Sequence, residues 1–441
     1  MRRPAFILLG GFGVVCRNTL YIRDLKRRGL EVLLVTPAAW REETLRRMKE
    51  PGHAASQLTD AAFVEGVLGS PESFTSDVLA EVTRWRGDYD IAGVYAVGEV
   101  LVEQAGLIAD ALGLPFPGLR ASRTARSKVL QRWYLREWSP PSRIMSPANR
   151  HAIADLNVRF PAVVKPASRH SSSGVLSYGS MEALQDGIDG YPAYETILVE
   201  DRVIGQEFSV ESLVQDGDIV FDSVTRKEST ESAASHVSTF VELAHSVPSR
   251  PADVDAVLIE QSRRVLRRLD FRDGIAHSEW RVTPDGTPFL MEIAARTPGD
   301  GLLPLYELAT GRPLEPEIVR ICLGETASYP APRRFARQVY LEHPEGRLDG
   351  VHADFPGADV TWVGESGEWP QLRPGGPAEP PALRAILVLR QRGDTLSALA
   401  DSDDRAVTFF IDAAAPDDLD TLEAEVRSAV KIDVTPPERV G

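Results

Sequence analysis

Cysteine is scarce in this sequence: its 441 residues include only two, Cys16 and Cys322. Two cysteines so far apart exclude a framework of several disulfides, and they offer no zinc-binding spacing. So little cysteine in a chain of this length is typical of proteins from a reducing compartment. We therefore expect a cytoplasmic protein.

Basic residues are also in short supply, because 49 lysines and arginines stand against 64 aspartates and glutamates, a formal net charge of −15. A broad nucleic-acid surface needs a basic excess, so this balance argues against a nucleic-acid partner. It says little about a small-molecule site, where the local charge can oppose the net charge.

Long hydrophobic runs are missing too, and no stretch reaches the length of a membrane span. The N-terminus "MRRPAFILLGGFGVVC" has basic residues before an apolar run, as a signal peptide has. The residues that follow favour a first strand over 5–9 instead. Residues 19–28 have a helical pattern, Gly29 suits a helix end, and "LEVLLVTP" is typical of a second buried strand. We expect neither a leader peptide nor a membrane partner.

The order of the predicted elements divides the chain into four parts. Residues 1–120 alternate strands and helices, which predicts a parallel sheet covered by helices. Residues 121–200 begin with a basic helix over 122–138, and residues 201–330 contain long strands, a hairpin and a final helix. Residues 331–441 contain further strands, a loop rich in proline and glycine, and a helix. A chain of 441 residues is long enough for several domains.

Glycines follow the first predicted strand in "GGFG" and raise the question of a dinucleotide site. Gly11 and Gly13 match the first two glycines of that motif, but Cys16 stands where the third belongs. No acidic residue ends the second strand either. A tight turn between strand and helix is therefore the preferred interpretation.

A hairpin is predicted in "GIAHSEWRVTPDGTPFLMEIAAR", because two strand-like runs flank a Pro-Asp-Gly turn. A loop centred on Asp285 and Gly286 places Glu279 directly across from Glu292. Directly opposed carboxylates have Cβ atoms about 5 Å apart and destabilise a sheet unless a cation lies between them. Carboxylate oxygens suit Mg²⁺, so we interpret the pair as a magnesium site. Two exposed glutamates on a solvated face are the alternative, and a loop of another length would break the pairing.

The other face of this hairpin is apolar, so we expect it to pack against a core. Its members are Ala276, Trp280, Val282, Phe289, Met291 and Ile293. His277 and Arg281 share the opposite face with Glu279. A hairpin with one packed face argues against two freely solvated glutamates.

Lysine and small residues mark a second candidate region, "FPAVVKPASRHSSSGV". Lys165 ends an apolar strand, and a lysine rarely points into a core without a partner. The backbone N–H groups of the following loop, residues 168–174, can close over phosphates, which makes Ser172 a candidate contact. The loop lacks the P-loop pattern. Lys128 lies in the basic helix and by itself would be a solvated lysine.

Two further carboxylates lie in "TILVEDRVIGQEFSVESL". Glu200 closes an apolar strand, and Glu207 opens the next strand after a turn at Gly205. A carboxylate at a strand end can bind an adenine amino group, and a second carboxylate can accept hydrogen bonds from both ribose hydroxyls. By itself this pattern is a weak signal.

Taken together, these stretches resemble the ATP-grasp superfamily of carboxylate–amine ligases over about residues 122–312, in the superfamily's order. The matching segments are "SKVLQRWYL", "FPAVVKPASRHSSSGV", "ILVEDRVIGQEFSVESL" and "HSEWRVTPDGTPFLMEIAAR". "FVELAHSVPS" and the "GD" after Arg296 are most similar to the L-amino acid ligases, which join two amino acids, and to carnosine-synthase-like enzymes. The resemblance implies an α/β and α+β multidomain protein with an ATP-grasp fold, a Rossmann-like parallel N-terminal domain and a C-terminal α+β subdomain.

The resemblance also implies a role for each matching residue, with ATP and Mg²⁺ (or Mn²⁺) as cofactors. The implied roles are Lys128 and Lys165 for the ATP phosphates, Glu200 and the backbone of Val203 for adenine, Glu207 for ribose, Glu279 and Glu292 for the metal, Arg296 for the acyl-phosphate oxygens, and Glu242 and His245 for a Glu-x-x-His element near the bound amino acids. The implied reaction activates a small-molecule carboxylate as an acylphosphate and transfers the acyl group to an amine. Glu242 or His245 is the candidate base.

One position departs from the superfamily pattern. Most members have Glu-x-Asn where this sequence has Glu292, Ile293 and Ala294, and alanine cannot bind a metal. Either Glu292 and water complete the shell of a second ion, or one ion binds tightly, or the site is degenerate.

Two other functions stay open beside the ligase. One is a carboxylase that acts on bicarbonate, as biotin carboxylase does, and "FVELAHSVPS" argues against it. The other is a non-catalytic nucleotide-binding protein, which Ala294 favours. The sequence does not name the carboxylate or the amine, and it leaves the oligomeric state open between a monomer and a homodimer.

Overall fold

The computed structural model of the protein describes residues 2–67, 70–150, 152–155, 157–169, 173–233, 239–249 and 252–436. Its strands form four sheets, and the cavity discussed below opens among three of them. No helix within these described ranges combines the length and the apolar character that crossing a membrane requires.

The N-terminal part is a parallel sheet, as the alternation of strands and helices predicts. Its elements are β1 (Arg3–Leu9), α1 (Phe12–Arg17), α2 (Thr19–Arg27), β2 (Glu31–Pro37), α3 (Arg41–Arg47), β3 (Asp60–Val64), α4 (Thr75–Asp88), β4 (Tyr89–Ala96) and α5 (Val102–Leu112). The strand order is β3-β2-β1-β4. The turn after β1 is tight: Gly10 has a φ of +146°, and a side chain there would bring its first carbon within 3.2 Å of the Gly98 nitrogen. These glycines therefore serve a close approach of backbone.

The prediction of a single basic helix over 122–138 is wrong. Two short helices take its place, α6 (Leu119–Ala125) and α7 (Lys128–Tyr134). Ser127 separates them, because its hydroxyl accepts a hydrogen bond from the Leu130 N–H at 3.2 Å and so caps the second helix. Lys128 consequently stands at the first position of a helix, where its side chain turns into the cavity.

A small antiparallel sheet follows. Its elements are β5 (Ser142–Met145), β6 (Ala162–Pro166), β7 (Leu176–Tyr178), α8 (Met181–Gly187) and β8 (Ile197–Asp201). The strands run in the order β5-β8-β6-β7. β6 and β8 are the apolar strands predicted around Lys165 and Glu200. Their antiparallel pairing places Glu200 opposite Val163, two residues before Lys165, so the two charged side chains meet on one face of the sheet.

The rest of the described chain forms a large sheet and a small one. Its elements are β9 (Gln206–Gln215), β10 (Asp218–Ser229), α9 (Thr230–Ala233), β11 (Glu242–Val247), α10 (Ala252–Leu269), β12 (Gly274–Val282), β13 (Pro288–Ala294), α11 (Leu302–Thr310), α12 (Glu315–Cys322), β14 (Phe335–Leu341), β15 (Gly346–Ala353), β16 (Val360–Trp362), α13 (Val363–Ser366), β17 (Ala382–Val388), β18 (Thr395–Leu396), β19 (Val407–Ala413), α14 (Pro416–Ala429) and β20 (Val430–Thr435). The large sheet has the order β13-β12-β9-β10-β11-β14-β19-β17-β16, and the small one β18-β15-β20.

The large sheet is continuous across residue 330, where the sequence suggests a boundary between domains. β11 pairs with β14 through four residues, from Ala244 opposite Val339 to Val247 opposite Ala336. The four proposed domain ranges remain a prediction, but the hydrogen-bonded ladder joins the last two of them. Helix α10, which the sequence analysis did not predict, packs against β9 and β10.

The hydrophobic core lies on both faces of the N-terminal sheet and reaches into the large sheet. On one face Phe6 and Tyr95 belong to the same buried cluster as Tyr306 of α11. On the other, Trp85 shares a cluster with Trp280 of β12. This shared packing fixes the loops after β1 and β4 against β10–β13, and the cavity opens between them.

Candidate active site

A single cavity of about 710 Å³ collects the predicted site residues. Its walls come from the loops after β1, β2 and β4, from the ends of β6 and β8, from β9–β13, and from residues 402–405. All of the described residues that the sequence predicts as site residues line it: Lys128, Lys165, Glu200, Val203, Glu207, Glu242, His245, Glu279, Glu292 and Arg296. Ser172 lies outside the described residues.

The predicted pairing of Glu279 with Glu292 is present in the hairpin of β12 and β13. The turn next to it differs from the prediction, because Trp280 pairs with Leu290 and the register there is shifted by one residue. A bulge at Met291 restores the register one step further on. The placement of Met291 on the packed face is therefore wrong: the bulge turns it into the cavity wall, while Leu290 is fully buried in the core.

Each glutamate of this pair has its own lysine. The Lys227 Nζ lies 2.7 Å from Glu279 Oε1, and the Lys128 Nζ lies 3.1 Å from Glu292 Oε2. Lys128 also donates to the Arg169 carbonyl at 2.7 Å. The ammonium groups of the two lysines thus relieve the repulsion between the carboxylates. The sequence by itself suggests that a metal ion does so.

Lys227 is the charged centre of the cavity wall. Besides Glu279, its Nζ lies 3.2 Å from Glu207 Oε1 and 3.3 Å from Glu242 Oε1. Its side chain is 2% exposed, so these contacts are hardly screened by water. Burial opposes the charged form, but the three carboxylates outweigh it and hold the pKa of Lys227 well above its usual value. Burial likewise raises the pKa of Glu279, yet Lys227 and His277 hold it well below the usual range.

The carboxylates of the cavity have the chemistry of a divalent-cation site. Glu207, Glu242 and Glu279 each offer one oxygen, and these oxygens lie within 4.8 Å of one another. Glu292 lies across the strand pair from Glu279 but is not part of that set. Hard oxygen donors of this kind fit Mg²⁺ or Mn²⁺. The set differs from the predicted pair, so the ligands of the ion stay a prediction.

At one end of the cavity Glu200 forms a buried ion-pair cluster. Its carboxylate, 1% exposed, accepts from Arg132 with both oxygens and lies 3.0 Å from the Lys165 Nζ. Burial opposes ionisation, but Arg132 and Lys165 outweigh it and hold the pKa of Glu200 at about 2. Arg132 also donates to the Met291 carbonyl at 2.8 Å, so it connects this cluster to the hairpin of β12 and β13.

Next to this cluster, Arg281 organises the predicted adenine and ribose contacts. One of its nitrogens donates to the Val203 carbonyl at 3.1 Å, and the other lies 2.9 Å from Glu207 Oε2. Glu207 is thus shared between Arg281 and Lys227. Arg281, Val203 and Glu207 all line the cavity.

Arg296 is held by an acid from the N-terminal sheet. Its Nε donates to Glu99 Oε2 at 2.6 Å, and Glu99 also pairs with Arg126. Glu99 lies in the loop between β4 and α5, which begins at Val102. Burial opposes the charge of Arg296, while Glu99 outweighs it and raises its pKa. The guanidinium therefore stays charged and fixed at the cavity wall.

The two candidate bases have different environments. Glu242 lies next to Lys227 and accepts a hydrogen bond from the Ser402 hydroxyl at 2.7 Å. His245 is fully buried, and neither ring nitrogen has a hydrogen-bond partner among the described residues. Its Nε2 lies 3.5 Å from Asp300 Oδ2, but burial dominates and lowers the pKa of His245, which favours the neutral ring.

Asp300 is both a turn residue and a charged partner. Its φ of +55° places it in the left-handed region, as the Pro-Gly-Asp-Gly sequence suggests. Its carboxylate pairs with Arg405, whose guanidinium lies 3.9 Å from the centre of the Tyr340 ring. Arg405 comes from the C-terminal part of the chain, and no local sequence pattern marks it.

Comparison with known proteins gives the class of the domain. Residues 158–303 match the ATP-grasp domain family. The chain thus carries an ATP-grasp domain, and its predicted fold and its resemblance to ATP-grasp carboxylate–amine ligases are confirmed. Members of this family generally use ATP with Mg²⁺.

Individual relatives are ligases. The chain is 28% identical over 173 residues to a D-alanine–D-alanine ligase of Hydrogenovibrio crunogenus, which covers 38% of this chain and 50% of that enzyme. It is 25% identical over 299 residues to the Geotalea uraniireducens D-alanine–D-alanine ligase, covering 66% of this chain and 92% of that enzyme. The chain thus spans about half the length of the first relative.

The crystal structure of an L-amino acid ligase from Bacillus licheniformis superposes over almost the whole chain. The TM-score is 0.74 at 17% identity, and the superposition covers 99% of this chain and 100% of that one. At this identity the similarity establishes the fold alone.

Proposed function

We propose that the protein is an ATP-dependent ligase that joins a carboxylate to an amine, with release of ADP and phosphate. The carboxylate belongs to an amino acid, and the amine to another amino acid or a simple amine. The observation that carries the proposal is the convergence of Lys128, Lys165, Glu279, Glu292 and Arg296 on one cavity. The ligase names of the relatives support it.

Lys128 and Lys165 are the residues that would hold the nucleotide's phosphates, since both are cations at the cavity wall. Lys128 pairs there with Glu292, and Lys165 with Glu200. Glu200 and the backbone of Val203 would hold the adenine, and Glu207 the ribose. A nucleotide arriving here exchanges one set of charge-assisted contacts for another. The lysines therefore need no large rearrangement to meet it.

Glu279 and Glu292 are the proposed ligands of Mg²⁺, and Glu207 and Glu242 supply further oxygens close to Glu279. The ion neutralises phosphate charge when it is bound. The ammonium of Lys227 compensates the charge of the carboxylates that would face the ion, because it lies within 3.3 Å of Glu207, Glu242 and Glu279.

In the first step a substrate carboxylate oxygen attacks the γ-phosphorus, the bond to the β-phosphate oxygen breaks, and ADP leaves. Lys128 and Lys165 stabilise the charge that develops on the phosphate oxygens. The acylphosphate that results keeps its phosphoryl group within the same positive surroundings.

In the second step the amine nitrogen attacks the acyl carbon, the carbon–oxygen bond to phosphate breaks, and an amide forms. Arg296, fixed by Glu99 at 2.6 Å, would stabilise the oxyanion of the tetrahedral intermediate. The amine must lose a proton, and His245 suits a base because burial favours its neutral form. Glu242 is the second candidate.

The experiment is a phosphate-release screen over pairs of L-amino acids with ATP and Mg²⁺, followed by mass spectrometry of the products. We expect ADP, phosphate and a dipeptide or amino-acid amide in equal amounts for at least one pair. Tight ATP binding without ADP formation for every pair would overturn the proposal. ADP release that depends on bicarbonate would indicate a carboxylase instead.

One observation favours a second candidate, a nucleotide-binding protein without turnover. Ala294 stands where most of the superfamily has an asparagine ligand, and it is 3% exposed, directly opposite His277. The same screen separates the two, because this candidate binds ATP and forms no product with any pair.

A further inference from the structure

Arg17, in helix α1 of the N-terminal part, differs from the other cations of the cavity. Every other lysine or arginine that lines the cavity within the described ranges has a carboxylate partner within 4.0 Å. Arg17 lines the same cavity and forms neither an ion pair nor a hydrogen bond with any residue that the structure describes. Its guanidinium carbon lies 5.3 Å from the centre of the Trp369 ring.

The Arg17 guanidinium is partly removed from water, and no carboxylate that the structure describes forms an ion pair with it. Burial lowers the pKa of Arg17, although an arginine stays charged in any folded protein. The two acids that act electrostatically on Arg17 are Asp300 and Asp403. Asp300 is already paired with Arg405, and Asp403 is exposed to solvent. A partly desolvated cation without a partner is costly unless a ligand supplies the opposite charge.

The position of Arg17 separates it from the nucleotide end of the cavity. Its strongest electrostatic neighbours are Tyr340, Asp300, Arg405 and Asp403. Those of Lys165 are Glu200, Arg132 and Lys128, so the two sets share no member. A second anion is therefore expected at the Arg17 end, next to His245 and away from the phosphates.

We propose that Arg17 binds a substrate carboxylate that stays free throughout the reaction. The guanidinium lies over the Trp369 ring, and its planar set of N–H groups suits a carboxylate in two-point contact. The carboxylate belongs either to the amine substrate, which is then an α-amino acid or a peptide, or to the side chain of a dicarboxylic donor. This inference rests on the proposed ligase function and narrows its substrates to molecules with a second carboxylate.

The test compares the wild-type protein with Arg17→Met, which keeps the side-chain length and removes the charge. Arg27→Met, on the neighbouring helix with a largely exposed side chain, is the matched control. With the most active amino-acid pair, we expect Arg17→Met to raise KM for one amino acid about 10- to 100-fold, as the loss of one charged hydrogen-bonded contact does. KM for ATP and the activity of Arg27→Met should stay unchanged.

Two substrate arms identify the source of the carboxylate. In the first, the amine substrate is replaced by its carboxamide; in the second, a glutamate donor is compared with glutamine. Removing the carboxylate that Arg17 binds should lower wild-type kcat/KM by the same 10- to 100-fold. The same substrate change should have little effect on kcat/KM of Arg17→Met. If each substrate change alters kcat/KM by the same factor in the wild-type protein and in Arg17→Met, the inference is overturned. The ligase function would stay intact in that case.

If no pair gives turnover, the proposed function fails, and binding tests the inference by itself. Each L-amino acid is then titrated by calorimetry into both proteins. Binding that Arg17→Met loses, and that Arg27→Met keeps, would support the carboxylate site. No binding to the wild-type protein, or equal binding to both, would overturn it.

Discussion

Replacing Lys227 with methionine is the perturbation whose effect the structure defines best. The change removes an ammonium that lies 2.7–3.3 Å from Glu279, Glu207 and Glu242 and leaves three carboxylates facing one another. Glu207 keeps Arg281, Glu242 keeps the Ser402 hydroxyl, and Glu279 keeps His277 at 3.3 Å. Glu279 loses the most, because its contact with Lys227 is the shortest of the three. Removing one partner of a buried ion pair typically costs 3–5 kcal/mol, and since these carboxylates are partly exposed we expect a loss of about 3 kcal/mol.

Lys165→Met is the matched control for this prediction, because it removes a largely buried lysine, 13% exposed, from the wall of the same cavity. Its carboxylate partner, Glu200, keeps both contacts with Arg132, so we expect a loss of only about 1 kcal/mol. The free energy of unfolding is measured by urea titration followed by tryptophan fluorescence. Adding Glu279→Gln to Lys227→Met should recover part of the loss. A loss for Lys227→Met no larger than that for Lys165→Met would refute the reasoning.

Three further predictions concern the metal site and the buried acids. Glu279→Gln and Glu292→Gln should each abolish Mg²⁺-dependent ADP formation while circular dichroism shows a folded protein; wild-type activity in both would remove the metal assignment. Ala294→Asn should lower the Mg²⁺ concentration for half-maximal activity roughly tenfold, as one added charge-assisted contact of about 1.4 kcal/mol would, and an unchanged Mg²⁺ titration would count against a missing ligand. Glu315 is buried, and burial raises its pKa from 4.5 to about 8, so the folded state binds more protons than the unfolded state between these pH values. Its contribution to stability is therefore present below about pH 4.5 and is lost as the pH rises to 8, so Glu315→Gln should stabilise the protein by about 1–3 kcal/mol more at pH 7 than at pH 4. Parallel pH profiles of unfolding for the two proteins would contradict this.

The fold class and the family resemblance are the parts that local patterns in the sequence predict well. Alternating strands and helices predict the parallel N-terminal sheet, and the apolar strands around Lys165 and Glu200 lie where the sequence suggests. The helix over 122–138 is an error of continuity: Ser127 has a capping role that outweighs the helical pattern on either side. Such a cap is visible in the sequence only once the break is suspected.

The pairing of Glu279 with Glu292 is confirmed, but only because two deviations from the predicted hairpin cancel each other. The turn is offset by one residue, and the bulge at Met291 cancels the offset before the glutamates are reached. A hairpin loop read from sequence fixes the register only up to the first bulge. The orientation of Met291 is wrong for the same reason.

The partners of the predicted residues could not be found from the sequence. Glu99 meets Arg296 from almost two hundred residues away, and Arg405 meets Asp300 from a different part of the chain. Lys227 did carry a signal, since a lysine in the middle of a β-strand pattern needs a buried partner. The identity of that partner depends on how β9, β10 and β12 lie side by side, which only the tertiary structure provides.

The central claim is that the cavity activates a carboxylate as an acylphosphate, and oxygen labelling tests it most directly. A carboxylate substrate labelled with ¹⁸O in both oxygens is incubated with ATP, Mg²⁺ and the amine, and the released phosphate is analysed by mass spectrometry. The account predicts one labelled oxygen in the phosphate for every amide formed, together with ADP. Unlabelled phosphate, or AMP and pyrophosphate in place of ADP and phosphate, would contradict it.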